Sequence, residues 1–228
     1  MIKRLLIIPA RIGSKRIINK NIKKFRGKPI IEYSIESALK SKLFSEINIS
    51  TDSLIVKKIA QKYFVNIDFP RPKKLSGDKI GLMNVFKFVV NKYKIQSKKF
   101  DEVWYLMPCA PLINSNDLVS ASNYFKLKKA SAMLAVSEYS SPIQRAFKLD
   151  KNKKLIPINK NKLKYRTQDL SKSYHDSGTF GVFKSNVFYN NYKVSFLSYV
   201  ISRNKGIDID NMDDWKLAEK MFQFNLKS

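Results

Sequence analysis

The sequence is poor in cysteine, histidine, glycine, proline and acidic residues, and it lacks a long apolar run. Cys109 is the one cysteine, so no disulfide can close within the chain and no four-cysteine zinc site can form. A reducing cytoplasm suits such a chain. Seven glycines and eight prolines among 228 residues, beside 44% hydrophobic and 12% aromatic residues, exclude a fibrous repeat or a disordered chain. The same totals permit a full core in a single domain, 1–228. No stretch approaches the roughly 18 apolar residues of a membrane span. Leu5-Leu6-Ile7-Ile8 behind Lys3-Arg4 faintly imitates a secretion signal, but Pro9-Ala10-Arg11 ends the run too early. A soluble, cytoplasmic protein with no membrane partner is expected.

Eighteen acidic side chains stand against 44 basic ones, a net charge of +26. Such a balance ordinarily points to nucleic acid or an anionic membrane. Here lysine is scattered over nearly every helix and loop and travels with abundant Ile, Asn, Phe and Tyr, whose codons are rich in A and T. Compositional bias on a solvated surface accounts for the excess, and no nucleic-acid partner is expected. Two motifs are missing as well. Neither the GxxxxGK[ST] phosphate loop nor the GxGxxG dinucleotide fingerprint occurs, which removes support from kinases, GTPases and dinucleotide-dependent dehydrogenases.

What is present alternates between strand and helix. Leu5–Ile8 is a short apolar run of the kind buried on both faces of a sheet, and a polar loop, 10–28, follows it. Pro29 opens a helix carrying Ile31, Ile35, Ala38 and Leu39 at helical spacing. Strands are predicted at Ile47–Ser50, Glu102–Met107 and Ala132–Val136, and helices after Thr51-Asp52-Ser53, over 82–95 and from Ser115-Asn116-Asp117. This order implies an α/β fold with a doubly wound, mostly parallel sheet, whose ligands lie beyond the carboxyl ends of its strands. Residues 138–200 break into short, turn-interrupted segments and are read as an insert; the α/β scheme resumes at Gly206–Asp210 and closes in a helix bearing Trp215, Leu217, Ala218, Met221 and Phe222.

Two clusters carry chemistry. Segment 8–21 places Arg11, Lys15, Arg16 and Lys20 in fourteen residues directly behind the first strand. A polyphosphate needs close backbone N–H groups, which Gly13 and Ser14 permit, and mobile or forked cations. A merely solvated basic loop is the bland alternative. Near the other end, Asp208 and Asp210 stand two apart, so an extended backbone turns both carboxylates to one side, as a Mg²⁺ site would require. Surface charge or helix capping at Asp213 would also account for acids there.

Ile8-Pro9-Ala10-Arg11-x-Gly13-Ser14-Lys15-Arg16, with Lys20-Asn21-Ile22 and Gly27-Lys28-Pro29, closely resembles the signature of cytidylyltransferases that activate acidic sugars. The segment from Asp208 to Glu219 resembles that family's closing motif. The resemblance spans roughly 2–220 and implies a Rossmann-like nucleotidyltransferase fold that joins CMP from CTP to an acidic nine-carbon sugar. It implies nucleotide contacts for Ala10, Arg11, Gly13, Ser14, Lys15, Lys20, Asn21 and Arg71, a catalytic share for Arg11, Lys15 and Lys20, and Mg²⁺ ligation by Asp208 and Asp210. Asp213, Asp214 and Trp215 are then cap and packing residues.

A third cluster, Pro142–Ala146, Tyr165–Asp169 and Tyr174–Phe180, resembles members acting on pseudaminic acid more than those acting on sialic acid. A sugar carboxylate calls for an Arg fork, and Gln, Tyr and Asp can read amide and hydroxyl groups. Gln144, Arg145, Arg166, Gln168, Tyr174 and Asp176 are the sugar-binding candidates, and the family's habit implies a homodimer in which the insert reaches the partner's sugar. His175, the one histidine, is read as a packed or surface residue or a substrate contact, and Phe180 and Phe183 as core or dimer contacts. Ile12, Ile18, Ile80 and Gly181 depart from the family pattern: Gly is usual at the first, Pro at the second, a polar residue at the third and an aromatic at the fourth. Rival readings are a synthetase for N-acetylneuraminic or legionaminic acid, an inactive nucleotide-binding relative, and a basic nucleic-acid-binding protein.

Overall fold

Leu5, Leu6, Ile7 and Ile8 are all wholly buried, so the strand they form has protein on both faces. A computed structural model, describing residues 2–65, 67–189 and 194–227, shows how. Six strands make the main sheet: β1 (Arg4–Pro9), β2 (Glu46–Ser50), β3 (Glu102–Leu106), β4 (Ala132–Glu138), β5 (Tyr174–Lys184) and β6 (Phe196–Val200). Their order is β6-β4-β5-β3-β1-β2. Every adjacent pair is parallel except those made by β5, which runs antiparallel to β3 and to β4.

Successive side chains on β1 go to opposite layers. Leu6 and Ile8 pack with α1 (Ile30–Ser41), α2 (Leu54–Lys62) and α4 (Ser115–Lys128), and Leu5 and Ile7 with α3 (Leu82–Ile95). The doubly wound, mostly parallel α/β architecture expected from the sequence is therefore present. Helix starts follow local chemistry. Ser53 Oγ accepts the Val56 N–H, and Asn114 and Asp117 form a reciprocal capping box at the start of α4. Among the described residues no helix is long and apolar enough to cross a membrane.

The segment read as an insert divides differently. Residues 139–173 leave the sheet and carry a small antiparallel ribbon, Phe147–Leu149 against Leu155–Pro157. Tyr174–Lys184 instead runs through the middle of the sheet, and Phe196–Val200 forms its edge. The sequence conceals β5 because its buried run includes Ser177 and Thr179, whose hydroxyls bond each other at 2.7 Å while Ser177 Oγ donates to the Ala135 carbonyl at 2.8 Å. Satisfied polar groups can be buried without an apolar signature. Gly206–Asp210, expected to resume the α/β scheme, joins no strand ladder and leads toward α5 (Met212–Lys227).

Candidate active site

The loop behind β1 is pinned by the strand beside it. Ala10 donates its N–H to the Ser50 carbonyl at 2.9 Å, and the Ile12 N–H donates to Asp52 Oδ1 at 2.9 Å. Asn21 Nδ2 reaches back to the Arg11 carbonyl at 2.9 Å. Ile12 keeps negative φ; Gly13 takes the left-handed turn at φ +94. Ile17 turns inward, 3% exposed, into a cluster with Phe25, Ile30, Cys109, Ile209 and Trp215, while Ile18 faces solvent. That cluster ties the loop to the segment holding the acidic pair.

The four loop cations share two carboxylates. Arg11 and Lys15 approach Asp78 at 2.7 and 2.8 Å, whereas Arg16 and Lys20 approach Asp210 at 2.9 and 3.5 Å. Lys20 Nζ also donates to the Ile209 carbonyl at 2.5 Å. Two carboxylates for four cations leave a cationic excess open to an anion. Lys15 and Arg11 hold the Asp78 carboxyl below its ordinary range.

These groups surround a cleft of about 470 Å³. Arg11, Ser14, Lys15, Lys20, Asn21, Arg71 and Asp210, all singled out in the sequence, line it together with Arg16 and Asp78. Arg71 is buried, donates from Nε to Ser50 Oγ at 3.1 Å and from Nη2 to the Ser50 carbonyl at 2.9 Å, and is pushed down to about 10 by that burial. Leu75, Ile80, Leu82, Val85 and Met107 give the cleft an apolar wall. The side chain of Ala10 is wholly buried, so its carbonyl is the group it has left to offer a ligand.

Asp208 is exposed to solvent and, unlike Asp210, does not line the cleft. Partial burial of its carboxyl, then repulsion from Asp210, raises the carboxyl pKa. Asp214 Oδ2 accepts the N–H groups of Asp210 and Asn211, each at 3.0 Å, and Asn211 Oδ1 accepts those of Asp213 and Asp214. The cap of α5 is thus Asn211 with Asp214, and it fixes the backbone of Asp210; the Asp213 carboxylate makes no cap contact. Trp215 packs edge-on against Phe25, as its packing role required.

The sugar-binding candidates sit apart from the cleft. Gln144 Nε2 donates to the Ser171 carbonyl at 3.0 Å and Arg145 to Thr167 Oγ1 at 3.2 Å, while Arg166, Gln168 and Tyr174 are exposed. None of the six lines the cleft, although Asp176 is near enough to Asp208 to help raise its pKa. The His175 imidazole packs on Tyr139, ring centroids 4.8 Å apart, with Nδ1 2.8 Å from the Asp176 carbonyl. Phe180 and Phe183 are core. Gly181 faces Tyr105 across the β3–β5 pair, and the Tyr105 ring occupies the space above it.

Asp78 and Asp52 were given no site role from the sequence, whereas Arg16, counted there among the loop cations, does line the cleft. Asp78 had a signal, being the lone acid between Asp68 and Asp101 in a lysine-rich stretch. Cys109 also lines the cleft, where burial pushes its thiol pKa up and leaves it a poor nucleophile.

Known proteins resemble this chain in sequence and in fold. The sequence profile of a family described as cytidylyltransferase matches residues 5–214. A pseudaminic acid cytidylyltransferase of Campylobacter jejuni strain 81-176 is 38% identical over 99% of both chains. The CMP-N,N'-diacetyllegionaminic acid synthase of Legionella pneumophila is 28% identical over 97% of both. In three dimensions, the CTP complex of CMP:2-keto-3-deoxy-manno-octonic acid synthetase superposes with a TM-score of 0.71 at 16% identity, covering 98% of this chain and 99% of that one, which establishes the shared fold.

Proposed function

The chain belongs to the cytidylyltransferase family, and we propose that it transfers CMP from CTP to the anomeric hydroxyl of pseudaminic acid, releasing pyrophosphate. One observation carries this assignment: Lys20 joins the cationic loop to Ile209 and Asp210, and Asp210 shares a single cleft with that loop. The 38% identity to a pseudaminic acid enzyme over the full chain supports the choice of acceptor.

In the reaction the sugar hydroxyl oxygen attacks the α-phosphorus, a new P–O bond forms, the α–β phosphoanhydride bond breaks, pyrophosphate leaves and the hydroxyl proton passes to solvent. The chain's contribution is alignment and neutralisation of charge. Arg11 and Lys15 on one side, with Arg16 and Lys20 on the other, would hold the phosphates after exchanging Asp78 and Asp210 for phosphate oxygens. Gly13 and Ser14 let the backbone approach.

Mg²⁺ fits the donors present. Asp210 sits close enough to Asp208 to oppose ionisation of the Asp208 carboxyl, a repulsion that a divalent cation would relieve. Two carboxylates would leave the remaining ligand positions of such an ion to phosphates and waters. When bound, it would supply positive charge to the phosphate oxygens.

Gln144, Arg145, Arg166, Gln168, Tyr174 and Asp176 remain the proposed sugar contacts. Five of the six lie on or beside the 139–173 excursion, which also exposes Phe147, Leu149, Leu155 and Ile156. Both features support a homodimer in which each excursion completes the partner's sugar site. A cytoplasmic location suits the lone buried thiol, and dispersed lysines call for no nucleic-acid partner.

The deciding assay incubates the protein with CTP, Mg²⁺ and, separately, pseudaminic, N-acetylneuraminic and legionaminic acids, following pyrophosphate release and the CMP-sugar mass. Turnover fastest with pseudaminic acid is expected. Faster turnover with another sugar reassigns the acceptor, and no turnover with any refutes the enzyme assignment.

A further inference from the structure

The strand hidden in the predicted insert meets Asp208 at Gly178. Between Val136, which pairs with Asp176, and Leu134, which pairs with Gly181, the ladder is irregular, so Ala135 alone faces residues 177–180. Such a bulge re-aims the backbone. Ser177 is pulled inward by its bond to the Ala135 carbonyl at 2.8 Å. Gly178 emerges at φ +63, and its N–H donates to Asp176 Oδ1 at 2.9 Å.

The Asp208 side chain rests against the bare Cα of Gly178. A Cβ built there would stand 2.5 Å from Asp208 Cγ, 2.8 Å from Oδ1 and 2.9 Å from Cβ. Ordinary carbon contacts need about 3.5 Å or more, so any side chain at 178 would expel the Asp208 carboxylate from its place. Gly27 shows what positive φ alone demands: at φ +100, its added Cβ would meet nothing within 4 Å. Crowding by Asp208, and not the turn alone, distinguishes position 178.

We infer that Gly178 is a positioning residue for the metal site: the turn locked by Asp176 forms a floor that sets where the Asp208 carboxylate points. This rests on the assignment of Asp208 as a Mg²⁺ ligand. Gly178 itself touches neither substrate nor ion, and it acts through Asp208. Asp176 then has a role besides any sugar contact, because its Oδ1 holds Gly178 in the conformation that leaves room for Asp208.

The test is direct binding of Mn²⁺, read by electron paramagnetic resonance on the full chain with α,β-methylene CTP present. Gly178→Ala is expected to weaken Mn²⁺ binding at least tenfold, with binding of the CTP analogue in the absence of metal within twofold of wild type. Gly27→Ala is expected to leave Mn²⁺ affinity unchanged, although its φ of +100 lies farther from the left-handed well than the +63 of Gly178. If Gly178→Ala does not fold, Asp176→Ala should loosen the floor and weaken Mn²⁺ binding, and Asp176→Asn, which keeps the Oδ1 acceptor, should restore most of it. Wild-type Mn²⁺ affinity in Gly178→Ala, or an Asp176→Asn defect equal to that of Asp176→Ala, overturns the inference while the metal assignment stands. Failure of the wild-type chain to bind Mn²⁺ overturns both.

Discussion

Lys20 Nζ donates to the carbonyl of Ile209 at 2.5 Å, a contact across 189 positions of sequence. It is the link by which a loop near the amino end meets the acidic segment near the carboxyl end. The lysine is 16% exposed at its side chain, so its charge acts in a partly desolvated setting.

Replacing this lysine should therefore cost more than replacing a surface cation. Lys20→Met keeps the apolar stem and removes the charge. By analogy with the loss of one preorganised electrostatic donor, kcat/KM should fall about 10²- to 10³-fold, or about 2.7–4 kcal/mol. Pyrophosphate release under saturating Mg²⁺ measures it, and a loss below threefold would show that the link is structural only.

Asp208 and Asp210 should each be needed for turnover. Asp208→Asn and Asp210→Asn are expected to retain under a tenth of wild-type kcat, a loss above about 1.4 kcal/mol. In metal-free buffer Asp208→Asn should also melt at a higher temperature. The sign follows from the raised pKa: an acid that ionises less readily in the folded state loses folding stability as pH rises through that raised value, and an amide has nothing to ionise. Calorimetry at neutral pH in EDTA checks this, and a lower melting temperature would contradict it.

Asp78 should act in the opposite direction. It is exposed and neutralises Arg11 and Lys15, the cations proposed to receive phosphate. Asp78→Asn should lower KM for CTP severalfold at low salt, with the advantage fading as ionic strength screens the competing pair. A raised KM would instead make Asp78 a positioning acid for the loop.

Gly181 tests how the sheet core adapts. Its added Cβ would stand 2.6 Å from Tyr105 Cε1 and 2.9 Å from the Met133 carbonyl. Gly181→Ala should destabilise by about 1–3 kcal/mol through overpacking. Tyr105→Leu in the same background should recover part of that, because the ring is one of the two obstacles. Urea unfolding of the single and double variants measures the coupling, and additive losses would remove Tyr105 as the cause.

The exposed ribbon of the excursion gives the proposed dimer a handle. Leu149→Asp with Leu155→Asp places charges on two side chains that are 67% and 65% exposed. Sedimentation should show dimer for wild type and monomer for the variant, with turnover reduced in parallel. A wild-type monomer with full activity would remove the cross-subunit site.

The strands and helices up to Val136 were legible because each buries an apolar stripe or run of the right period, from Leu5–Ile8 to Ala132–Val136. The cationic loop was legible because four cations and a glycine crowd behind a buried strand. Central strand β5 was not, since Ser177 and Thr179 satisfy their hydroxyls inside the sheet and leave no hydrophobic alternation to read. Nor was Asp78, whose meaning comes from cations more than 60 positions away. By itself the sequence determined which residue types stand behind which strands, because periodicity and local charge are properties of neighbouring positions. The tertiary structure alone decided that Lys20 meets Ile209, that Asp78 meets Arg11 and that Gly178 meets Asp208. Those meetings depend on the order in which strands pair across the sheet, a long-range choice that no local pattern records.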